Sequence, residues 1–121
     1  MNLTGCFLKQ DRTTTVYGTI TDQNGQPVDS ILVMVLGMQI SHSEVLSQIY
    51  SDKAGEYEIM VEVPKKFNSI NVGVPFLLIE NPKYQNNYKG KKTTKDGKRT
   101  SDCCTALVGK KTRYDFQLIP R

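Results

Sequence analysis

Apolar and polar positions alternate in several short segments of this chain, and turn residues separate the segments. Residues 57–63 are the clearest case, because Tyr57, Ile59, Val61 and Val63 alternate with mostly charged residues. A period of two is typical of a strand that buries one face. The same pattern, together with one continuous apolar run, predicts seven strands: 14–21, 31–36, 45–51, 57–63, 69–79, 105–108 and 112–119. No segment of helical length has a clear helical period, so we expect an all-β sandwich.

Characteristic turn residues stand between the predicted strands. Residues 22–25 and 52–55 share the pattern Asp-x-x-Gly. In such a turn the aspartate accepts a backbone N–H at the start, and the glycine supplies the positive φ that the chain needs at the end. Residues 95–98 carry Asp-Gly at their centre, which favours a tight type I′ hairpin. The composition of this segment is that of a long polar loop. If the hairpin forms, residues 84–108 are instead two strand extensions that present a basic edge.

Parts of this pattern resemble a known family. Residues 16–28 read Val-Tyr-Gly-Thr-Ile-Thr-Asp-Gln-Asn-Gly-Gln-Pro-Val, and residues 51–59 read Ser-Asp-Lys-Ala-Gly-Glu-Tyr-Glu-Ile. The first stretch resembles the V-x-G-x-V-x-D-x-x-G-x-P-V opening of the carboxypeptidase regulatory-like domain family. The second resembles that family's T-D-x-x-G-x-Y-x-I strand pair, and it is followed by Val63-Pro64. Residues 114–118 are similar to the family's last strand.

The resemblance covers about residues 14–79 and 112–119. It implies a seven-stranded Greek-key β-sandwich of the transthyretin (prealbumin) type, which agrees with the strand pattern. Residues 1–13 lack a periodic pattern, so we expect an N-terminal tether there. Residues 14–121 are then one β-sandwich domain with a basic insertion at about 80–112.

The residues that carry the resemblance all have structural explanations. Gly18 permits a close approach of two backbones or a bulge, and Tyr57 puts a large ring on the inner face. The family consists mostly of non-catalytic accessory modules on peptidases, outer-membrane receptors and surface proteins, especially in Bacteroidetes-like bacteria. Enzymes on the wider fold need several histidines, whereas this chain has only His42, in a polar connection. The resemblance therefore implies a binding module that has no catalytic residues, metal ligands or cofactor.

Two other function classes stay open at the level of sequence. A small hydrolase-like enzyme on a transthyretin-type sandwich needs convergent polar groups in a pocket, and the sequence offers no such set. A carbohydrate-binding module needs exposed aromatic platforms, for which Tyr84 and Tyr88 are the available pair. The binding-module hypothesis instead uses a basic segment, or a sheet edge that takes up a partner strand by main-chain pairing.

Positive charge is concentrated in one region of the chain. The formal net charge is +4, but residues 83–113 hold ten Lys and Arg against only Asp96 and Asp102. Such a region suits nucleic acid, an anionic lipid surface or an acidic glycan, or it is a solvated lysine-rich loop. Nucleic acid is disfavoured because lysines predominate over arginines and few aromatic residues are interleaved. We predict a protein or glycan partner, with these candidate contact residues: Lys89, Lys91, Lys92, Lys95, Lys98, Arg99, Tyr84 and Tyr88.

The start of the chain contains a second familiar motif. Leu3-Thr4-Gly5-Cys6 resembles the bacterial lipobox, in which the cysteine thiol is acylated. The resemblance implies a lipoprotein of the cell envelope, facing the periplasm or lying at the outer membrane, with Cys6 as the lipidated residue. No charged and apolar signal segment precedes Leu3. The alternative is that Met1 is the true start, Cys6 is unmodified and the protein is cytoplasmic.

Three cysteines give an odd number of thiols: Cys6, Cys103 and Cys104. At least one of them has no internal partner. Adjacent cysteines close only a strained ring, so Cys103 and Cys104 are either two thiols or include one that is bridged to another strand or chain. The chain has no C-x-x-C and a single histidine, which disfavours a four-ligand zinc site.

Overall fold

The computed structural model describes residues 12–76, 79–100 and 105–121. Over these ranges the protein is nearly all β, with nine strands and one short helix. In chain order the elements are β1 (Thr13–Thr21), β2 (Leu32–Met38), β3 (Ser43–Tyr50), β4 (Glu56–Glu62), β5 (Ser69–Gly73), α1 (Pro82–Asn87), β6 (Tyr88–Lys95), β7 (Lys98–Thr100), β8 (Thr105–Leu107) and β9 (Lys111–Pro120).

Two sheets form the sandwich. One has the strand order β4-β1-β9-β6-β7, and the other has the order β3-β2-β5-β8. β1 and β9 run parallel, and every other recorded pair of strands is antiparallel. The core between the sheets is made of the inward-facing positions of the alternating strands. In β9 these positions are Tyr114, Phe116 and Leu118, all fully buried as the alternation predicts.

Each of the seven strands predicted from the sequence has a counterpart in the structure. The two further strands, β6 and β7, form the hairpin that the Asp-Gly pair predicted. The predicted bounds of 84–108 were too wide, because residues up to Asn87 belong to α1 and β8 pairs with β5 in the other sheet. The prediction for residues 69–79 was too long, because β5 ends at Gly73, two residues before Pro75. Proline lacks the N–H that a ladder needs, so the strand stops there.

The helix α1 is the element that sequence reasoning missed. Its residues lie in the segment that has the composition of a long loop, but Pro82 occupies the first turn of the helix, where the missing N–H costs nothing. A six-residue helix is too short to show a period, and its stability comes from packing. Its buried residue is Tyr84, which packs against Phe76 and Tyr88.

The two Asp-x-x-Gly turns are built as their sequence predicts. Asp22 Oδ1 accepts the N–H groups two and four residues later, at 2.8 and 3.0 Å. Asp52 Oδ1 does the same at 2.9 and 2.8 Å. Gly25 and Gly55 have positive φ, at 78° and 73°. Both aspartates therefore cap their turns.

A close approach of two backbones lies at the centre of the five-stranded sheet. Gly18 on β1 is buried, and a Cβ built on it would lie 1.8 Å from the carbonyl oxygen of Tyr114 on β9. The same oxygen accepts a 2.6 Å hydrogen bond from the Tyr57 hydroxyl. Burial raises the pKa of the Tyr57 hydroxyl. This group therefore stays protonated and acts as a structural donor.

Asn81 connects the segment before α1 to strand β2. Its side chain is fully buried, Oδ1 accepts the N–H of Leu32 at 2.9 Å, and Nδ2 donates to the oxygens of Leu32 and Pro75, both at 3.1 Å. The amide therefore replaces a strand neighbour at the point where β5 no longer lies beside β2. The buried N–H and C=O of Leu32 therefore both have hydrogen-bond partners.

Candidate functional site

The predicted basic residues lie on an ordered hairpin at one side of the five-stranded sheet. Strands β6 and β7 carry six cations and no carboxylate. The connecting residues Asp96 and Gly97 have φ of 48° and 85°, as a type I′ turn requires. We call this surface the basic edge, and it is made of Lys89, Lys91, Lys92, Lys95, Lys98 and Arg99.

The cations of the basic edge are divided between the two faces of the hairpin. Lys95 lies opposite Tyr114 in the ladder and so points inward, with Nζ 5.8 Å from the Tyr114 ring centroid. Burial lowers the pKa of Lys91, which shares this face. Arg99 lies opposite Thr94, which lies opposite Asp115, and these residues point outward. Within the described ranges, none of the six cations forms an ion pair.

The predicted aromatic pair does not form an exposed platform. Tyr84 is only 2% exposed, with its ring edge-on to Phe76 at 5.4 Å and stacked near Tyr88 at 6.4 Å. Burial raises the pKa of its hydroxyl. Tyr88 is partly buried against the core. The prediction of an exposed sugar-binding pair is therefore wrong for Tyr84, because α1 turns this ring into the protein.

Strand β4 at the opposite side of the same sheet carries the opposite charge. Its polar side chains are Glu56, Glu58 and Glu62, all exposed, with Met60 between them at 65% exposure. We call Glu56, Glu58 and Glu62 the acidic edge. No cation of the described chain lies within ion-pair distance of them. The alternation in the sequence predicts that these glutamates face water, but it does not predict that they form a surface at a sheet edge.

An open groove of about 380 Å³ runs along the acidic edge. Glu56, Glu58 and the turn cap Asp52 supply its charge. Among the described residues that line it there is no Lys, Arg or His, so the charged groups of its lining are carboxylates. Its full lining is Tyr17, Gly18, Ile49, Tyr50, Asp52, Glu56, Tyr57 and Glu58.

Between the two edges, the outer face of the sheet is fixed by local pairs. Tyr17 lies under two cations, with Lys111 Nζ at 4.8 Å and Arg113 Cζ at 5.9 Å from its ring centroid. Arg113 Nε is 2.9 Å from Asp115 Oδ2, and this contact raises the pKa of the guanidinium. Asp115 Oδ1 also accepts the N–H and hydroxyl of Thr19, at 2.8 and 3.0 Å. Arg113 is therefore paired with Asp115, whereas Lys111 contacts the Tyr17 ring and has no carboxylate within ion-pair distance among the described residues.

Other predicted positions give no site. His42 is exposed in the connection between β2 and β3. Over residues 12–76, 79–100 and 105–121, no three His, Cys, Asp or Glu side chains are grouped so that they could hold a metal ion. In the same ranges no helix has the length and apolar character needed to cross a membrane. Cys6 with its lipobox-like motif, and also Cys103 and Cys104, lie outside the described residues.

Together the fold and these surfaces define a small two-sheet β-sandwich with oppositely charged edges on one sheet. A scan against protein-family models and a search of curated proteins found no match. Among solved structures, the chain is similar to the crystal structure of a 9R-lipoxygenase from Cyanothece PCC8801, with a TM-score of 0.40 and 13% sequence identity. The likeness covers 88% of this chain and 16% of that one. A likeness this weak carries no argument about function.

Proposed function

We propose that this protein is a non-enzymatic binding module of the bacterial cell envelope, and that it binds an acidic protein segment at the basic edge. The observation that carries the proposal is the hairpin itself. Six cations and no carboxylate lie on these two strands, and the hydrogen bonds between paired strands keep the cations close together. A positive surface of this kind attracts an anionic partner and speeds its encounter.

Main-chain groups of β7 support a protein partner. Lys95 and Lys98 flank the two-residue turn and face each other across the hairpin. Because hydrogen-bonding direction alternates along a strand, Arg99 directs its own N–H and C=O away from β6. An extended acidic segment would meet main-chain donors and cations together, as in strand addition. A glycan partner has less support, because the predicted aromatic platform is buried at Tyr84.

The basic-edge proposal predicts charge-selective peptide binding. A fluorescein-labelled peptide of alternating Glu and Val, about ten residues long to match a strand, should bind the protein in fluorescence anisotropy. The double variant Lys98→Glu/Arg99→Glu should bind at least about tenfold more weakly, since two attractions become repulsions worth up to about 1 kcal/mol each. Raising the salt to about 1 M, where the Debye length is about 3 Å, should weaken wild-type binding.

The matched control is Lys53→Glu/Lys65→Glu, which makes the same change in net charge at two exposed positions outside the basic edge. It should retain most of the affinity, and a Lys-Val peptide should not bind. Equal affinity of the basic-edge variant and the wild type would overturn the proposal. If the protein binds heparin but does not bind the Glu-Val peptide, the partner is a glycan and not a protein.

We include in this proposal the finer fold type and family that the sequence implies. The domain is then a seven-stranded transthyretin-like Greek key of the carboxypeptidase regulatory-like family, extended by the β6–β7 hairpin. Support comes from the two capped Asp-x-x-Gly turns and from the close backbone approach at Gly18, the positions that carry the resemblance. This family consists mostly of non-catalytic accessory modules, which agrees with a binding role.

A lipid anchor at Cys6 is the proposed attachment to the envelope. Multiple acyl chains would hold the domain stably at a membrane, whereas a single chain gives marginal binding. Mass spectrometry of the N-terminal peptide, from protein purified from its native cells, should find a diacylglyceryl or triacylated Cys6. An unmodified peptide that starts at Met1 would contradict the anchor and favour the cytoplasmic alternative.

A further inference from the structure

The two outermost strands of the five-stranded sheet carry opposite charges. β4 lies at one end of the strand order and β7 lies at the other. The outward side chains of β4 include Glu58 and Glu62, and β7 carries Lys98 and Arg99. Charges at a sheet edge normally discourage pairing with other chains. Here the two edges have opposite charges, so each edge repels the same edge of a second copy and attracts the opposite edge.

Strand directions decide what a junction between two copies would be. β1 is antiparallel to β4 and parallel to β9, while β6 is antiparallel to both β9 and β7. β7 therefore runs in the direction of β1, and β4 runs opposite to it. If a second copy is placed beside the first so that the sheet continues, its β4 lies antiparallel to β7 of the first copy. Antiparallel pairing is the commoner arrangement in proteins.

Main-chain groups on both edges have the orientation that this junction needs. Val63 N donates to Arg12 O at 3.1 Å, and Ile20 N donates to Gly55 O at 2.6 Å. Odd-numbered positions of β4 therefore face β1, and alternation directs the main-chain groups of Glu58 and Glu62 away from it. On β7 the corresponding outward position is Arg99. Two outward positions can therefore face each other in a hydrogen-bonded pair.

Side chains at these positions also lie on the same face of the sheet. Glu58 lies opposite Tyr17, and Tyr17 lies opposite Arg113. Asp115 lies two residues after Arg113 on β9 and therefore shares its face. Asp115 is opposite Thr94, and Thr94 is opposite Arg99. All of these side chains point to the outer face. An antiparallel junction would therefore bring a glutamate and Arg99 side by side, the arrangement in which opposite charges on neighbouring strands attract.

We propose that a second copy of this chain is a partner of the basic edge, and that β4 of one copy adds to β7 of another in a head-to-tail junction. The proposal rests on the proposed function, because it uses the same basic edge as a contact surface. Symmetric pairing of β4 with β4, or of β7 with β7, is disfavoured because like charges would face each other. A head-to-tail junction that does not close into a ring repeats, so the product is an open assembly.

Charge reversal at each edge tests the junction. The measurement is sedimentation equilibrium of the full chain at low salt, over about 10 µM to about 1 mM, the range of weak complexes. The wild type should rise from the monomer mass of 13.6 kDa to more than twice that value as concentration increases. Glu58→Lys/Glu62→Lys and Lys98→Glu/Arg99→Glu should each remain monomeric. Salt at about 1 M should dissociate the wild type.

Mixing the two charge-reversed proteins is the decisive step. The first variant carries cations on both outermost strands and the second carries glutamates on both, so the mixture should regain the wild-type mass distribution. Glu80→Lys reverses an exposed charge outside both edges and should assemble like the wild type. Circular dichroism melting of each variant verifies that it is folded.

Several results would overturn the junction. They are a monomeric wild type over the whole concentration range, assembly of either reversed variant alone, or a mixture that stays monomeric. These outcomes are separable from the proposed function, because the Glu-Val peptide reports on the basic edge alone. A wild type that binds the peptide and stays monomeric would remove self-association and leave the proposed function intact.

Discussion

Replacing Gly18 with alanine is expected to lower the free energy of unfolding by about 3 kcal/mol or more, at the upper end of the range for overpacking. The added methyl group would lie 1.8 Å from the oxygen and 2.7 Å from the carbon of the Tyr114 carbonyl. These are main-chain atoms that cannot rotate away. β1 also lies between β4 and β9, so a shift of the β1 or β9 backbone would disturb the hydrogen bonds between paired strands.

Thermal melting followed by circular dichroism measures this effect. In a domain of this size each kcal/mol corresponds to roughly 4 °C in Tm, so a fall of about 10 °C or an insoluble protein is expected. Gly73→Ala is the control, since Gly73 is also a strand glycine but has no atom within 4 Å of the position of an added Cβ. Alanine there should leave Tm within a few degrees of the wild type. Equal melting of both variants would mean that the close approach does not exist.

The second large effect is expected for Asn81→Ala, with a loss of about 2–4 kcal/mol in the free energy of unfolding. The substitution removes three hydrogen bonds, at 2.9, 3.1 and 3.1 Å. It leaves the N–H and the C=O of Leu32 without these partners in a buried position. An unsatisfied buried polar group costs about 1–3 kcal/mol, so the loss exceeds that of an exposed asparagine.

Urea unfolding of Asn81→Ala and Asn87→Ala separates the two cases. Asn87 donates to Lys83 O at 2.9 Å in an exposed position, where water replaces the lost partner. Its substitution should change the free energy of unfolding by less than about 0.5 kcal/mol. A third variant, Asn81→Asp, keeps the shape but loses both donors and buries a charge, so it should be at least as unstable as Asn81→Ala. A stable Asn81→Asp protein would refute the assigned role.

Local signals in the sequence were sufficient for most of the secondary structure. The Asp-x-x-Gly turns and the Asp96-Gly97 hairpin depend on contacts within four residues, so they are readable from the sequence. Gly18 was expected at a close approach or a bulge, and it lies at a close approach. By contrast, α1 is one short turn whose burial of Tyr84 depends on Phe76, and no local periodicity records that contact.

The candidate site was visible only in part for the same reason. The lysines of the basic edge stand close together in the sequence, so their clustering was predicted. The glutamates of β4 were assigned correctly to a water-facing side, but their relation to the basic edge was not visible. A charge becomes an edge charge only when its strand has a neighbour on one side, and strand pairing decides that.

The amino-acid sequence by itself determined the strands, their inward faces and the chemistry of their turns, because these follow from a two-residue period and from bonds that span two to four positions. Only the tertiary structure decided that β4 and β7 lie at opposite ends of one sheet, with β1 and β9 parallel between them. Strand order results from packing between segments far apart in the chain, where the gain depends on the whole core. That order gives this small domain one acidic and one basic edge.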